Sequence, residues 1–109
     1  MTVAGTATAL DAWRRALVAS LRLPGPDLSA RQLAVLLQVY TQPAPHTVVA
    51  LAASFGVPHQ AISRAVATLE RQGLVTRARD EDDRRVAHVQ RTVKGAVYLR
   101  DFADLIAAG

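Results

Sequence analysis

Residues Leu51–Gly95 read LAASFGVPHQAISRAVATLERQGLVTRARDEDDRRVAHVQRTVKG. Two apolar-periodic segments, Leu51–Phe55 and Pro58–Gln72, are interrupted by Gly56 and closed by Gly73, so each reads as a helix. Pro58 suits a first helical turn. Leu74–Arg79 reads as a strand, Asp80–Arg85 as a polar hairpin tip and Val86–Arg91 as the returning strand. The order predicts a helix-turn-helix followed by a β-wing. Ala52, Gly56 and Ile62 are spaced as a tight helix-turn-helix requires. A small residue admits the second helix, a Gly takes the turn, and an apolar residue fills the shared core. Leu51, Phe55, Val57, Ala65, Val66 and Leu69 are expected to complete that core. The opposite face of the second helix carries His59, Gln60, Ser63, Arg64 and Thr68.

Outward from this stretch the chain is helical. Thr47 is placed to cap the helix from about Val49 to Phe55. Before it, Ser29 and Gln32 form a capping-box pattern ahead of Leu33, Leu36, Leu37 and Tyr40. That helix is expected to stop before Pro43. Leu10, Trp13, Leu17 and Leu21 recur at helical spacing, which predicts an amphipathic helix over about 8–23, ended by Pro24-Gly25-Pro26. Residues 1–7 read as a tail. Thr92 is placed to cap a last helix over about 92–107. The fold class is mainly α with a small β-hairpin, in the order α-α-(β)-α-α-β-β-α, and residues 1–109 read as one domain.

Composition narrows the function. The chain has 109 residues and no cysteine, which excludes a disulfide framework and a thiol redox sensor. Its net charge of +4 suits a nucleic-acid partner. Between Arg64 and Lys94 stand eight basic residues and five acidic ones, and four of those acids, Asp80 to Asp83, share one turn. The rest of that surface is therefore expected to be positive. No Ser/His/Asp or Cys/His arrangement or phosphate loop is found, so the chain does not read as an enzyme. His46, His59 and His88 lack ligand spacing, and neither a metal nor another cofactor is expected. No apolar run approaches the ~18 residues of a membrane span. The N-terminal MTVAGTATALDAW lacks a basic segment followed by an apolar one, and a cytoplasmic protein with no membrane partner is expected.

The polar face of the second helix suits base edges and phosphates, and its N-terminal half is the end that meets the major groove in such motifs. Gln60, Ser63 and Arg64 are the expected base readers. Arg64, Arg71, Arg77 and Arg79 are the expected phosphate contacts. In the wing, Asp83 lies beside Arg84 and Arg85. The acid can hold one guanidinium by a charge-assisted bond, leaving the other for a narrow, electronegative minor groove.

Leu28-Ser29, Gln32, Val35-Leu36, Leu51-Ala52, Ser63-Arg64, Leu69-Glu70, Gly73-Leu74-Val75, Asp83-Arg84-Arg85 and Thr92 with Gly95 resemble the MarR family of bacterial winged-helix regulators. The resemblance spans Leu28 to Gly95. It departs from the family pattern at His88, at Arg91 and at Pro58-His59. It implies a dimeric, cytoplasmic transcription factor on pseudo-palindromic double-stranded DNA. It places the recognition helix at Pro58–Gln72 and the minor-groove arginine at Arg84 or Arg85. A repressor that occludes its promoter is the function it implies.

The family pairs protomers through terminal helices. Here those carry Trp13, Leu17 and Leu21, and Tyr98, Phe102, Leu105 and Ile106. The last helix is apolar on more than one face, which a homodimer would explain. The resemblance also implies a crevice for a small, often aromatic, acidic effector. Trp13, Arg14 or Arg15 and Tyr40 are the residues to line it, and they read equally well as core and surface. The four acids of the wing tip favour an alternative, a winged-helix module that binds protein and has lost DNA binding.

Overall fold

The computed structural model describes residues 3–108. Its order is α1 (Val3–Arg22), α2 (Ala30–Thr41), α3 (Val48–Phe55), α4 (His59–Arg71), β1 (Val75–Arg79), β2 (Ala87–Arg91) and α5 (Val93–Ala108). The strands pair antiparallel, with Val75 opposite Arg91 and Arg79 opposite Ala87. Thr47 makes a single bridge to His88, and the Val89 amide donates to the His46 carbonyl at 2.8 Å. This is the short third strand expected between the second and third helices. The fold is the winged helix-turn-helix that the sequence predicts.

Two compact units are distinguished. One is Leu28–Ala96; the other joins the N-terminal residues up to Asp27 with those from Val97 on. In the first, Val35, Leu36, Val39, Val48, Leu51, Ala52, Ile62, Ala65, Val66, Leu69, Leu74, Val75 and Val89 are buried. Branched aliphatic side chains fill it, as a chain with 5% aromatic residues requires.

Local chemistry sets the boundaries. Ser29 accepts from the Gln32 amide, and the Gln32 side chain accepts from the Ser29 amide, so the capping box is complete. Thr47 caps α3 through the Ala50 amide. Gly56 adopts φ 66° and ψ 33°, the left-handed conformation that a side chain disfavours. Thr92 Oγ1 accepts from the Gly95 amide at 3.0 Å and starts α5.

Three expectations are corrected. Residues 3–7 are helical rather than a tail, because Ala4, Ala7 and Ala9 are strong helix formers and no proline separates them from Leu10. Met1 and Thr2 lie outside the described residues. The helix ends at Arg22, since Leu23 precedes a proline and is steered out of the α region. Phe55 and Val57 are half-buried rather than core, because they sit at the end of a two-turn helix and in the turn that follows.

Candidate nucleic-acid interface

The α4 helix presents two faces. Ile62, Ala65, Val66 and Leu69 point into the core, while His59, Gln60 and Arg64 are exposed and Ser63 and Thr68 half-buried. Its N-cap is Pro58, which offers no side-chain acceptor; the Ala61 amide donates to the Pro58 carbonyl at 3.0 Å, and the first turn has no side-chain cap.

Two concavities border this helix. One, of about 630 Å³, lies between α4, the start of α3 and the wing. It brings together His59, Ser63, Arg77, Arg79, Asp83 and Arg85. The other, of about 250 Å³, lies between α4 and the start of α2, and brings Gln60, Arg64 and Thr68 to Ser29, Arg31 and Gln32. Arg71 and Arg84 line neither.

The wing is ordered by its own acids. Asp80 accepts from the amides of Asp82 (3.0 Å) and Asp83 (2.9 Å), which closes the turn, and from His88 Nε2 at 2.9 Å. The His88 bond, then the two amides, hold the Asp80 carboxyl below its usual range. Asp83 grips Arg85 with both oxygens, at 3.0 Å to Nε and 3.2 Å to the terminal nitrogen, and accepts from the Arg85 amide as well. The Arg85 side chain, followed by that amide, lowers the Asp83 pKa. Arg85 nonetheless remains 91% exposed. Arg84 is exposed, and no partner holds it among the described residues. Two of the four clustered acids are thus committed to the shape of the tip.

The remaining cations differ. Arg77 pairs with Glu70 at 3.0 Å, and its amide donates to the same carboxylate. Arg71 donates to Thr68 Oγ1. Arg79 is exposed. Arg91 turns away from the interface: Nε donates to the Val39 carbonyl at 2.8 Å, a terminal nitrogen donates to that of Gln42 at 3.1 Å, and the guanidinium stands 5.7 Å from the Tyr40 ring centre. It thereby ties the hairpin base to the C-terminal carbonyls of α2, the negative end of that helix.

Tyr40 is a second tie. Its hydroxyl accepts from the Thr92 amide at 2.8 Å and shares its proton between the carbonyls of Leu74 (2.8 Å) and Thr92 (3.0 Å). Buried His46 donates from Nε2 to the Gln42 carbonyl. The sequence reading gave none of these roles. The only local hint was a charge, Arg91, at a strand position where an aliphatic residue is usual.

In the other unit, Leu10, Trp13, Leu17 and Leu21 of α1 are exposed, Trp13 by 64% and Leu21 by 75%. Arg14 and Arg15 both bind Asp11. Arg14 foremost lowers the Asp11 pKa. On α5, Phe102 is buried, and Tyr98, Leu105 and Ile106 are half-buried. Burial, then the charge of Asp27, raises the Tyr98 pKa.

A sequence profile of the MarR family matches residues 27–86. The chain belongs to the MarR family. The match covers α2, α3, α4, β1 and the wing tip, which together carry every expected DNA contact. Solved structures agree. The transcriptional regulator BldR from Sulfolobus solfataricus is 34% identical, with a TM-score of 0.63 over 75% of this chain and 58% of BldR. CouR from Rhodococcus jostii, solved with p-coumaroyl-CoA, is 28% identical, with a TM-score of 0.66 over 94% of this chain and 68% of CouR. A MepR variant from S. aureus bound to an oligodeoxyribonucleotide is 19% identical, with a TM-score of 0.76 over 99% of this chain and 79% of MepR, and shares the fold. No curated protein matches the sequence. Family and neighbours support a DNA-binding transcriptional regulator. Among the described residues, no helix of this MarR-family chain is long and apolar enough to cross a membrane.

Proposed function

We propose that this MarR-family chain is a dimeric repressor that reads double-stranded DNA with α4 in the major groove and the wing in the adjacent minor groove. The observation that carries the reading is the Asp83–Arg85 pair, bidentate yet almost fully exposed, on the rim of the concavity that α4 borders. A guanidinium held in one pose loses little rotamer freedom on binding. Only two of its nitrogens face Asp83, so N–H groups remain for base edges. Arg85 is therefore assigned to the minor groove and Arg84 to a flanking phosphate, which reverses the expectation that the arginine left unheld by Asp83 enters the groove.

On α4, Gln60, Ser63 and Arg64 are assigned to base edges, and the five-donor fork of Arg64 to a flanking phosphate as well. His59 and Thr68 border them, and Thr68 holds Arg71. Arg71 and Arg79 are assigned to phosphates, because no carboxylate compensates them among the described ion pairs. Arg77 is compensated by Glu70 and contributes less.

The stripe Leu10, Trp13, Leu17 and Leu21 supports a homodimer, since four large apolar side chains on one helical face are otherwise left in water. Phe102 is already buried within the chain, against Tyr98, and is not assigned to the partner contact. A two-fold axis then sets two recognition helices about one DNA turn apart. No effector enters the proposal. Arg14 and Arg15 are paired to Asp11, and the Tyr40 hydroxyl is fully engaged.

The alternative, a protein-binding module, rested on four acids repelling phosphate. Asp80 and Asp83 are instead engaged in holding the tip, which leaves Glu81 and Asp82 to repel. The test is selection of bound duplexes from a random pool, followed by titration at fixed salt. A pseudo-palindromic consensus and a loss of about tenfold or more for Arg85→Ala are expected. Retention of no duplex at low salt would refute the proposal.

A further inference from the structure

The smaller concavity beside α4 is unusual in its charge. It is lined by Ser29, Gln32, Gln60 and Thr68, which carry no charge, and by two guanidinium groups, Arg31 and Arg64. No acid lines it. Both arginines are exposed, and neither has a partner among the described residues. Two cations facing one cleft without a counter-charge repel each other, and an anion between them removes that repulsion. At about 250 Å³ the space is several times a water molecule's share of the liquid. It therefore admits a phosphodiester group.

Arg31 is also placed against local preference. It lies in the first turn of α2, where the helix macrodipole favours acids and disfavours cations. The capping box occupies the Ser29 and Gln32 amides, and the full positive charge offered to an anion there is that of the Arg31 and Arg64 side chains. Arg31 contributes nothing visible to the fold. Its position is explained if it meets an anion outside the chain.

We infer that Arg31, with Arg64 opposite, clamps a backbone phosphate of the DNA that α4 reads, on the side of α4 away from the wing. The inference rests on the DNA-binding reading above. It adds a second backbone contact, so that the recognition helix is held between the wing on one flank and the start of α2 on the other. Phosphate contacts of this kind fix register and carry no sequence information themselves.

The test is a salt titration of wild type, Arg31→Ala, Arg31→Lys and Arg84→Ala on a selected duplex and on a random duplex, with thermal melting alongside. Arg31→Ala is expected to weaken both duplexes alike, by about five- to tenfold near 0.1 M salt. The slope of log K against log salt should fall by about 0.9 for each clamp lost. Arg31→Lys should keep the slope. Melting should not fall, since the variant removes an unpaired cation from a helix N-terminus. An unchanged slope for Arg31→Ala, with a loss for Arg84→Ala, overturns the clamp while sparing the DNA-binding reading. A loss confined to the selected duplex also overturns it, since that is base readout. Failure of the wild type to bind any duplex overturns both.

Discussion

Replacing Gly95 by Ala tests the architecture at its tightest point. Gly95 lies in the first turn of α5 and is buried. Propensity alone predicts that Ala stabilises a helix position by about 1 kcal/mol. The structure predicts the opposite sign. A Cβ there would stand inside the van der Waals envelopes of the Tyr40 hydroxyl and the Leu74 carbonyl. The hydroxyl cannot yield freely, because it bonds Leu74, the Thr92 carbonyl and the Thr92 amide. Losing two or three such bonds costs about 1 kcal/mol each, and overpacking adds about 1–3 kcal/mol. After the propensity gain, a net loss of about 3 kcal/mol is expected. At a urea m-value of about 1–3 kcal/mol/M, the midpoint should fall by roughly 1–3 M. A cycle with Tyr40→Phe isolates the hydroxyl. In that background Gly95→Ala should cost less, with a coupling of about 1 kcal/mol or more. A midpoint for Gly95→Ala that is unchanged or raised, at unchanged m, would refute the reasoning.

Other variants probe the remaining ties. Arg91→Ala removes two bonds to α2 carbonyls and the contact with the Tyr40 ring, and is expected to cost about 1–3 kcal/mol in urea unfolding. It should leave the salt slope of DNA binding unchanged. Asp83→Ala frees Arg85, so it should weaken duplex binding by a few-fold at unchanged stability, and anisotropy titration would show this. The Asp80 carboxyl has a folded pKa below its ordinary 3.8, so its stabilising effect on the wing is fully present above that value. That effect should be lost as pH falls through the lowered folded value. Measured against the intrinsic exchange rate at each pH, the Asp82 and Asp83 amides should therefore lose protection as Asp80 is protonated, and Asp80→Ala should lack that protection at every pH.

What was legible in the sequence was local. Ser29 with Gln32, Thr47, Gly56 and Thr92 each act within four residues of themselves, so spacing alone revealed their roles. The α4 faces were legible because helical periodicity separates Ile62 and Leu69 from Gln60 and Arg64. The Tyr40 tie was not legible, since its partners lie 34 and 52 residues away and two are backbone carbonyls, which every residue carries. Arg91 was visible only as an oddity for the same reason. The wing arginines were ambiguous because adjacent residues on a turn are told apart only by its geometry. Once Asp80 closes the turn, Asp83 lies within reach of Arg85 and Arg84 is left free. The helical start at Val3 was missed because Thr and Gly interleave the alanines and blur the signal.

The two wing acids that argued against DNA binding are best understood as part of its cost in preorganisation. A tip that carries Arg84 and Arg85 side by side needs a turn that survives their mutual repulsion. Asp80 supplies it by accepting two amides and His88, and Asp83 neutralises one of the two cations while the tip is free. On the proposed minor-groove reading, phosphates would take over that neutralisation and leave Asp83 to orient Arg85. An acid that merely repelled DNA would be expected to project from the tip unpaired. Asp80 and Asp83 instead bond within the wing, so that of the four acids only Glu81 and Asp82 stand exposed beside Arg84 and Arg85.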